Sequence, residues 1–564
     1  MKKSIVICEY ISTGINYIDV ARARGYEHVL VEGNYVGTED EIAPFRSARE
    51  TINRRLAGSV KIIKENPDYQ EILRQVREVD PEVVVAGSEF GVALAARLAA
   101  DLNLPGNPVS SIPAMTEKDS MHEALRKFGI RYIRGKVVTG EQDAVEYYKT
   151  LGTEDVVVKR VRGAGTQGVY LCHGYDEMLA AVRKSFSHPI KNGEEPVAIL
   201  MQERIIGTEY IVNTVSCKGR HRVVSVWKYD KVKMPNGANA YNYSITVPRL
   251  EVGHSRLIRY ACQVAQAIGI QYGPVHGEYM VDEKGPVLIE VNCRPMGGGL
   301  PRKYVEGIFG HHETDVALDC YLNPRKFEKG FYTPYRIKKI GLMKFFIVHN
   351  DTEVNSAPIL QIATHMKSYF CSSFDAIGRT TTLPQTKDLE TAGGSVYLLH
   401  ENEQLVRDEC ELLHLLETRY SGILFQSSRP QEASKCLESD ISAVMEVAGC
   451  GGATLGFSDT VKEVKGAKVV DSQSLSKSYD SYEYGILDLT QDMTFADLES
   501  VIQQILVFAS KVRPGGQILV PESTYSHLPY GIEGMEILLK VAGLRIEMPL
   551  HDMVSVLVAS VEKS

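Results

Sequence analysis

Apolar runs and amphipathic stretches alternate along the first hundred positions. SIVICEY (4–10), HVLVEG (28–33) and EVVVAG (82–87) are short apolar runs rich in β-branched residues. STGINYIDVARARGY (12–26) and SEFGVALAARLAADLNL (88–104) instead repeat apolar side chains every three to four positions. A strand–helix–strand rhythm of this kind predicts a small parallel sheet with helices on its faces. The Pro/Gly cluster LPGNP (104–108) ends the second of these helices.

From about position 111 the pattern changes. TEKDSMHEALRKFGI (116–130) predicts a capped helix that Gly129 terminates. Further helices are predicted over 174–186, 254–268, 311–322 and 401–418. The rest of 197–292 reads as mainly β, and 331–400 as strands and turns. A break near 419–424 precedes a second strand–helix rhythm. The expectation is an α/β and α+β multidomain protein in four segments: 1–110, 111–330, 331–420 and 421–564.

Composition narrows the function. The net charge of −8 over 564 residues, with no basic block, argues against a nucleic-acid groove. No apolar run approaches the roughly 18 residues needed to cross a bilayer. The start, MKKSIVICEYIS, reads as a first strand rather than a signal peptide. Ten cysteines include no C-x-x-C pair, which points to reduced thiols in a cytoplasmic protein.

The segment VHGEYMVDEKGPVLIEVNCRP (275–295) predicts a β-hairpin turning at Asp282-Glu283-Lys284-Gly285. A three-residue loop over 283–285, ending in a left-handed glycine, makes Asp282 oppose Pro286. Glu278 then faces Glu290, and His276 faces Asn292, with Cβ atoms about 5 Å apart. Val275, Val281, Ile289, Val291 and Cys293 fall on the other face and suit a core. Oxygen ligands converging in this way suit Mg²⁺, whereas a solvated acidic strand is the plain alternative. A slip of one residue would put the two glutamates on opposite faces.

GAGTQG (163–168) lies between two predicted strands, DVVVKRV (155–161) and GVYLCH (168–173). It therefore reads as a hairpin tip whose backbone N–H groups can cover phosphates, not as a dinucleotide turn. Lys159 precedes this loop, and Lys118 opens the helix after position 116. MQERIIGTEYIVNTV (201–215) joins two strands through Ile205-Ile206-Gly207, where exposed backbone can pair with an adenine edge. PNGANAYNYS (235–244), with Tyr241 and Tyr243, is a surface loop or a lid that touches substrate.

Together these segments resemble the ATP-grasp superfamily over about residues 1–420. The resemblance rests on Lys118 in an E-K-D helix start, Lys159 on a strand and the Gly-rich flap. It continues in Q-E-x-x-x-G-x-E at 202–209 and in E…E-x-N-x-R ending at Arg294. The stretch AGSEFGVALAARLAADLNLPGN (86–107) is similar to the L-amino-acid ligase type, which includes dapdiamide-synthase-like enzymes. The resemblance implies an ATP-grasp fold, in which a parallel α/β domain precedes two α+β subdomains that sandwich ATP. It also implies roles. Lys118, Lys159, Gly163, Gly165, Thr166, Gly168, Glu203, Ile206 and Glu209 would bind ATP. Glu278, Glu290 and Asn292 would hold Mg²⁺, with Mn²⁺ as a substitute. Arg294, Lys159 and His276 would serve catalysis. Arg294, Gly298, Gly299 and Tyr243 would contact substrate. Glu117-Lys118 replaces the family's frequent Asp-Lys, and Cys293 stands where proline commonly follows the asparagine.

The implied activity is an ADP-forming carboxylate–amine ligase that makes an amide bond through an acyl phosphate, with small-molecule partners and a homodimeric state. An ATP-grasp carboxylase and a non-catalytic nucleotide-binding protein remain alternatives. Segment 421–564 resembles a degenerate methyltransferase domain of Rossmann-like α/β type. That likeness rests on AVMEVAGCGGATLG (443–456), Asp471 and Asp488. S-adenosylmethionine is not expected as a cofactor, because the glycine motif has an extra residue and the strand spacing is short. A bifunctional ligase–methyltransferase is the remaining alternative.

Overall fold

The computed structural model describes residues 3–419 except 36–38, 162–167, 188–198, 235–238, 334, 355–357, 365, 374–380, 388 and 390. Beyond 419 it describes Phe508 and six strands: Thr454–Phe457, Ala467–Val470, Tyr482–Leu487, Val512–Pro521, Leu544–Glu547 and Val556–Val561. Two compact units result. One is Met1–Met343 with Lys387–Glu390 and Leu399–Asn402; the other is Lys344–Thr386 with Thr391–Leu398 and Glu403–Ser564.

The first unit begins with four parallel strands: β1 (Ser4–Cys8), β2 (Glu27–Val31), β3 (Lys61–Ile63) and β4 (Pro81–Ala86). Their order in the sheet is β3-β2-β1-β4. Successive strand side chains point to opposite faces, and both faces here are covered. Ile5 and Ile7 pack with Tyr17, Ile18 and Ala21 of helix Asn16–Ala23. Val6 and Cys8 pack with Ile72 and Val76 of helix Tyr69–Arg77 and with Leu98 of helix Val92–Asp101. That double burial explains the unbroken apolar run at 5–8. The first predicted helix opens as a 3-10 turn, Ser12–Ile15, before becoming α-helical.

Between β1 and β4 the chain turns away in opposite directions, which opens a crevice at the carboxyl ends of the strands. The two loops that border it touch through glycines. A Cβ on Gly14 would stand 2.5 Å from Gly87 Cα, and one on Gly87 would stand 2.4 Å from the Glu9 carbonyl oxygen. Larger residues would force the loops apart.

Two antiparallel sheets follow. The smaller contains β5 (Gly135–Val138), β6 (Asp155–Arg160), β7 (Tyr170–His173) and β8 (Ile199–Glu203), in the order β5-β8-β6-β7. Helices Glu141–Leu151 and Gly174–Phe186 cover one face. The larger runs β13-β12-β9-β10-β11. Its strands are β9 (Thr208–Cys217), β10 (Arg220–Lys233), β11 (Asn239–Thr246), β12 (Tyr272–Asp282) and β13 (Gly285–Asn292). Helix Val252–Ile268 lies on its core face, with Leu257, Tyr260, Val264 and Ile268 against Val275, Tyr279, Leu288 and Val291. Helix Lys118–Phe128 stops at Gly129, which is left-handed with φ +78°, as its sequence predicts.

The β12–β13 hairpin corrects part of the sequence reading. Asp282 pairs with Gly285, so the connection has two residues, Glu283 and Lys284, not three. That register alone would place Glu278 opposite Ile289. The pairing shifts by one between Glu278 and Tyr279, and Ile289 becomes the extra residue of a bulge. Glu278 therefore does face Glu290, and His276 faces Asn292. The bulge also changes the core. Leu288 joins Val291 and Cys293 in the cluster, while Ile289, expected there, is only half-buried. Arg131 holds the turn with two bonds to the Asp282 carboxylate, at 2.7 and 2.6 Å, and one to the Gly285 carbonyl at 2.6 Å.

Two other expectations change. Tyr241 and Tyr243 belong to strand β11, not to a surface loop, because residues 239–246 pair with β10. Helix Pro358–Thr364 adds a helix to the region expected to hold mostly strands and turns.

In the second unit, Tyr369–Ser373 pairs antiparallel with Ser395–His400. The fully buried Lys344 ammonium meets the Glu417 carboxylate, which also accepts the Ile347 N–H at 3.0 Å. The final sheet has the order Ala467–Val470, Thr454–Phe457, Tyr482–Leu487, Val512–Pro521, Val556–Val561, Leu544–Glu547. The first four strands are parallel and the last two antiparallel. Residues 443–453, Asp471 and Asp488 lie outside the described residues.

Candidate functional site

The face of the large sheet turned away from helix Val252–Ile268 collects the polar side chains. The register aligns Glu209, Ile211 and Asn213 of β9 with Met280, Glu278 and His276 of β12, and Glu290 and Asn292 lie beyond. Two carboxylates directly opposed repel each other unless cations share the space. Lys118 supplies one cation, with Nζ 3.2 Å from Glu290 Oε1. Its position follows from the helix start, where the Lys118 N–H donates to the Val161 carbonyl just past β6.

Lys159 on β6 supplies another and is buried. Burial, and then the neighbouring Lys118, pull its ammonium down to about 8, against the attraction of Glu290 and Glu278. Burial also opposes the charge on Glu278, yet His276, Lys231 and Arg294 hold that carboxyl below the usual range. For Glu209 burial wins and its carboxyl is raised, despite the Lys231 ammonium 2.8 Å away. Lys231 also lies over the Tyr241 ring, 4.1 Å from its centroid.

His276 uses both ring nitrogens. Nδ1 lies 2.8 Å from Asn213 Oδ1, and Nε2 lies 3.4 Å from Glu278 Oε1. Asn213 in turn donates to Ser225 Oγ at 2.7 Å. This chain orients the imidazole against the carboxylate.

Arg294 Nε donates to Glu89 Oε2 at 2.9 Å, and its Nη1 donates to the Pro295 carbonyl. Glu89 follows β4 at the crevice. Burial works against its charge, but Arg294, a backbone N–H and His276 keep its carboxyl below the usual range. Sequence reasoning missed Glu89, although it stands in AGSEFG directly after a strand of a parallel sheet, where such sheets bind ligands. Ser12, Asn213 and Lys231 were missed as well. Ser12 has φ +57° and accepts the Gly299 N–H at 3.1 Å, which ties the β1 loop to the Gly297–Gly299 run. Gly298 and Gly299 are exposed, with φ +83° and +59°.

The linker between β8 and β9 presents Ile206 with 67% of its surface exposed, an open apolar seat for a flat ring. The Glu203 carboxylate is taken up by Arg134 at 2.7 and 2.9 Å, and the Glu203 and Arg204 N–H groups donate to the Arg134 and Asp155 carbonyls. Gly207 packs under β12, where a Cβ would stand 2.3 Å from the Val281 carbonyl oxygen. Strands β6 and β7 form the expected hairpin. Of the flap, Gly168 is left-handed with φ +69°, whereas Gly163, Gly165 and Thr166 lie outside the described residues. Tyr243 is half-buried on β11, opposite Asp230.

The site thus combines two opposed carboxylates, two lysines, an arginine anchored across the crevice and a linker with an open apolar seat. Residues 153–301 match the ATP-grasp domain family. The chain therefore carries an ATP-grasp domain. It is 28% identical to the dapdiamide A synthase of Enterobacter agglomerans over 331 residues, 58% of this chain and 75% of that one. It is 23% identical to the carbamoyl phosphate synthase large chain of Deinococcus deserti over 366 residues, 60% of this chain but only 33% of the relative. The crystal structure of an L-amino acid ligase from Bacillus licheniformis shares its fold, with a TM-score of 0.57 at 17% identity, covering 73% of this chain and 98% of that one.

The residues present fit magnesium. Glu278, Glu290 and Asn292 offer hard oxygen donors on adjacent strands, too few for a closed cage, which suits an ion that keeps water and phosphate ligands. Among the described residues no group of three His, Cys, Asp or Glu side chains forms a metal cage. No helix among them is long and apolar enough to cross a membrane.

Proposed function

We propose that this protein couples ATP cleavage to formation of an amide bond between a small carboxylate and an amine, at least one of them an amino acid. The observation that carries the reading is the opposed pair Glu278 and Glu290, set beside Lys118 and Lys159 and followed two strand positions on by Asn292. A carboxylate that attacks ATP brings anions together, so the barrier is largely charge repulsion. Magnesium held by Glu278, Glu290 and Asn292 would neutralise phosphate charge. Lys118 and Lys159 add fixed positive charge where the phosphates would lie. By the family pattern Gly163, Gly165, Thr166 and Gly168 would bind these phosphates, and water must be kept out because it would hydrolyse the acyl phosphate. Ile206 seats the adenine, the backbone near Glu203 pairs with its edge, and Glu209 meets the ribose.

Arg294, held by Glu89, positions the acid near Gly298 and Gly299, with Tyr243 at its border. His276, fixed by Asn213, keeps Glu278 in place. The carboxylate takes the terminal phosphoryl group, which gives the acyl phosphate and ADP; the amine then attacks the acyl carbon, loses a proton and displaces phosphate. The likeness to a dapdiamide synthase over most of its length supports an amino-acid substrate. We further place residues 1–110, 111–330, 331–420 and 421–564 in separate domains, and the protein in the cytoplasm as a homodimer. The thiols of Cys8, Cys172, Cys217 and Cys293 form no disulfide and fit a reducing compartment.

The test is ADP and phosphate release with Mg-ATP across pairs of amino acids and small acids, with product mass measured alongside. Glu290→Ala should lower turnover on the order of 10²–10³-fold, as removal of a preorganised charge does. AMP and pyrophosphate as products would refute the reading.

A further inference from the structure

Behind the metal-facing side chains lies a small cavity of about 20 Å³, room for a group the size of one water. Trp227 of β10 and Leu300, Val305 and Phe309 form its apolar wall. Its polar lining is unusual for so small a space. Trp227 Nε1, Thr13 Oγ1 and Glu313 Oε1 are buried, and none has a hydrogen-bond partner among the described residues. Each of these residues is more than nine-tenths buried, with exposures of 1%, 3% and 7%. Buried polar groups are seldom left unpaired, so three around one cavity point to something that completes them.

The cavity adjoins the reaction site on two sides. Asn213 lines it while bonding His276. Met296, two residues past Arg294, lines it while donating its N–H to Glu313 Oε2 at 3.1 Å. Thr13 follows Ser12, which holds Gly299. The space is therefore the floor beneath the Arg294–Leu300 loop, where the ligase reading puts the substrate amino acid.

We infer that this cavity receives the end of the substrate amino acid's side chain, and that the favoured chain is short and ends in a hydroxyl. A hydroxyl fills the volume, accepts from the indole N–H and donates to the Glu313 carboxyl or the Thr13 oxygen. A charged end would be desolvated with no matching ion. Burial raises the Glu313 carboxyl to about 8, so near neutrality it is a neutral hydrogen-bonding group. An apolar chain of the same shape would leave all three atoms unpaired, and sites built around a hydroxyl reject such isosteres strongly.

This inference rests on the ligase reading, and the experiment separates the two. ADP release is measured with threonine against valine, and with serine against 2-aminobutyrate, in wild type, Trp227→Phe and Thr13→Val. The expected result is a wild-type kcat/KM at least tenfold higher for each hydroxyl amino acid than for its isostere. That ratio should fall to within about threefold in either variant. Thr13→Val is isosteric, Trp227→Phe removes the pyrrole ring together with its N–H, and retained ADP release shows that each variant is folded. ADP release at equal rates for hydroxyl and apolar partners, or a ratio unmoved by both substitutions, overturns the inference and leaves the ligase standing. No ADP release with any amino acid overturns both.

Discussion

At the scale of single residues, burial sets the chemistry of the site. Lys159 is held near 8 because it is buried beside Lys118. Below that pH the free protein already carries the ammonium; above it, bound phosphate must restore the proton. Mg-ATP binding should therefore take up protons between about pH 8 and 10, and affinity should weaken over that range. Isothermal titration in buffers of different ionisation enthalpy checks this, and Lys159→Met should abolish the uptake. Glu313 has the opposite sign of linkage to pH. Its carboxyl is raised to about 8, so the folded protein binds the proton more tightly than the unfolded chain. That contribution to stability is complete below about pH 4.5 and is lost as pH rises through 8. The difference in Tm between wild type and Glu313→Gln should shrink, or reverse in favour of the variant, between pH 5 and 9. A constant difference would show that Glu313 does not hold its proton. Neither shift is visible in the chain, where Lys159 is one strand lysine and Glu313 one helix-start glutamate. Their partners lie beyond the reach of local pattern: Lys118 is 41 positions from Lys159, and Met296 is 17 from Glu313.

At the scale of elements, the hairpin shows what local pattern can and cannot specify. The pairing of Glu278 with Glu290 was legible because the turn signal limits the register and a one-residue slip would put the two acids on opposite faces. The route to it was not, since a two-residue turn and a bulge at Ile289 give the same pairing at the site end as a three-residue turn and a regular ladder. Arg131, remote in sequence, favours the tighter turn by clamping Asp282 and Gly285. The linker beside this hairpin is equally tight. Gly207 leaves no room for a methyl group under the Val281 carbonyl oxygen. Gly207→Ala should therefore displace the linker, cost about 1–3 kcal/mol of stability and raise the KM for ATP more than it lowers kcat. Thermal melts and steady-state kinetics check this; an unchanged KM would mean that the linker does not seat the nucleotide.

At the scale of the whole molecule, the chain comprises two compact units, and the opposed carboxylates belong to the first. A ligand that binds only one folded unit stabilises that unit by mass action, by about 2.7 kcal/mol at a hundred times its Kd. Calorimetry should show Mg-ATP raising the transition of the first unit and leaving any separate transition of the second in place. The amino-acid order by itself determined the strand–helix rhythm, the face shared by Glu278, Glu290 and Asn292, and the lysines placed at a helix start and a strand end. Those features repeat over two to four residues or sit at element boundaries, so local sterics and alternation are enough to reveal them. Only the tertiary structure decided that Glu89 meets Arg294, that Asn213 orients His276, and that Thr13, Trp227 and Glu313 surround one cavity. Each of these joins side chains from separate strands and loops, and such contacts depend on sheet order and close packing, which leave no period in the sequence.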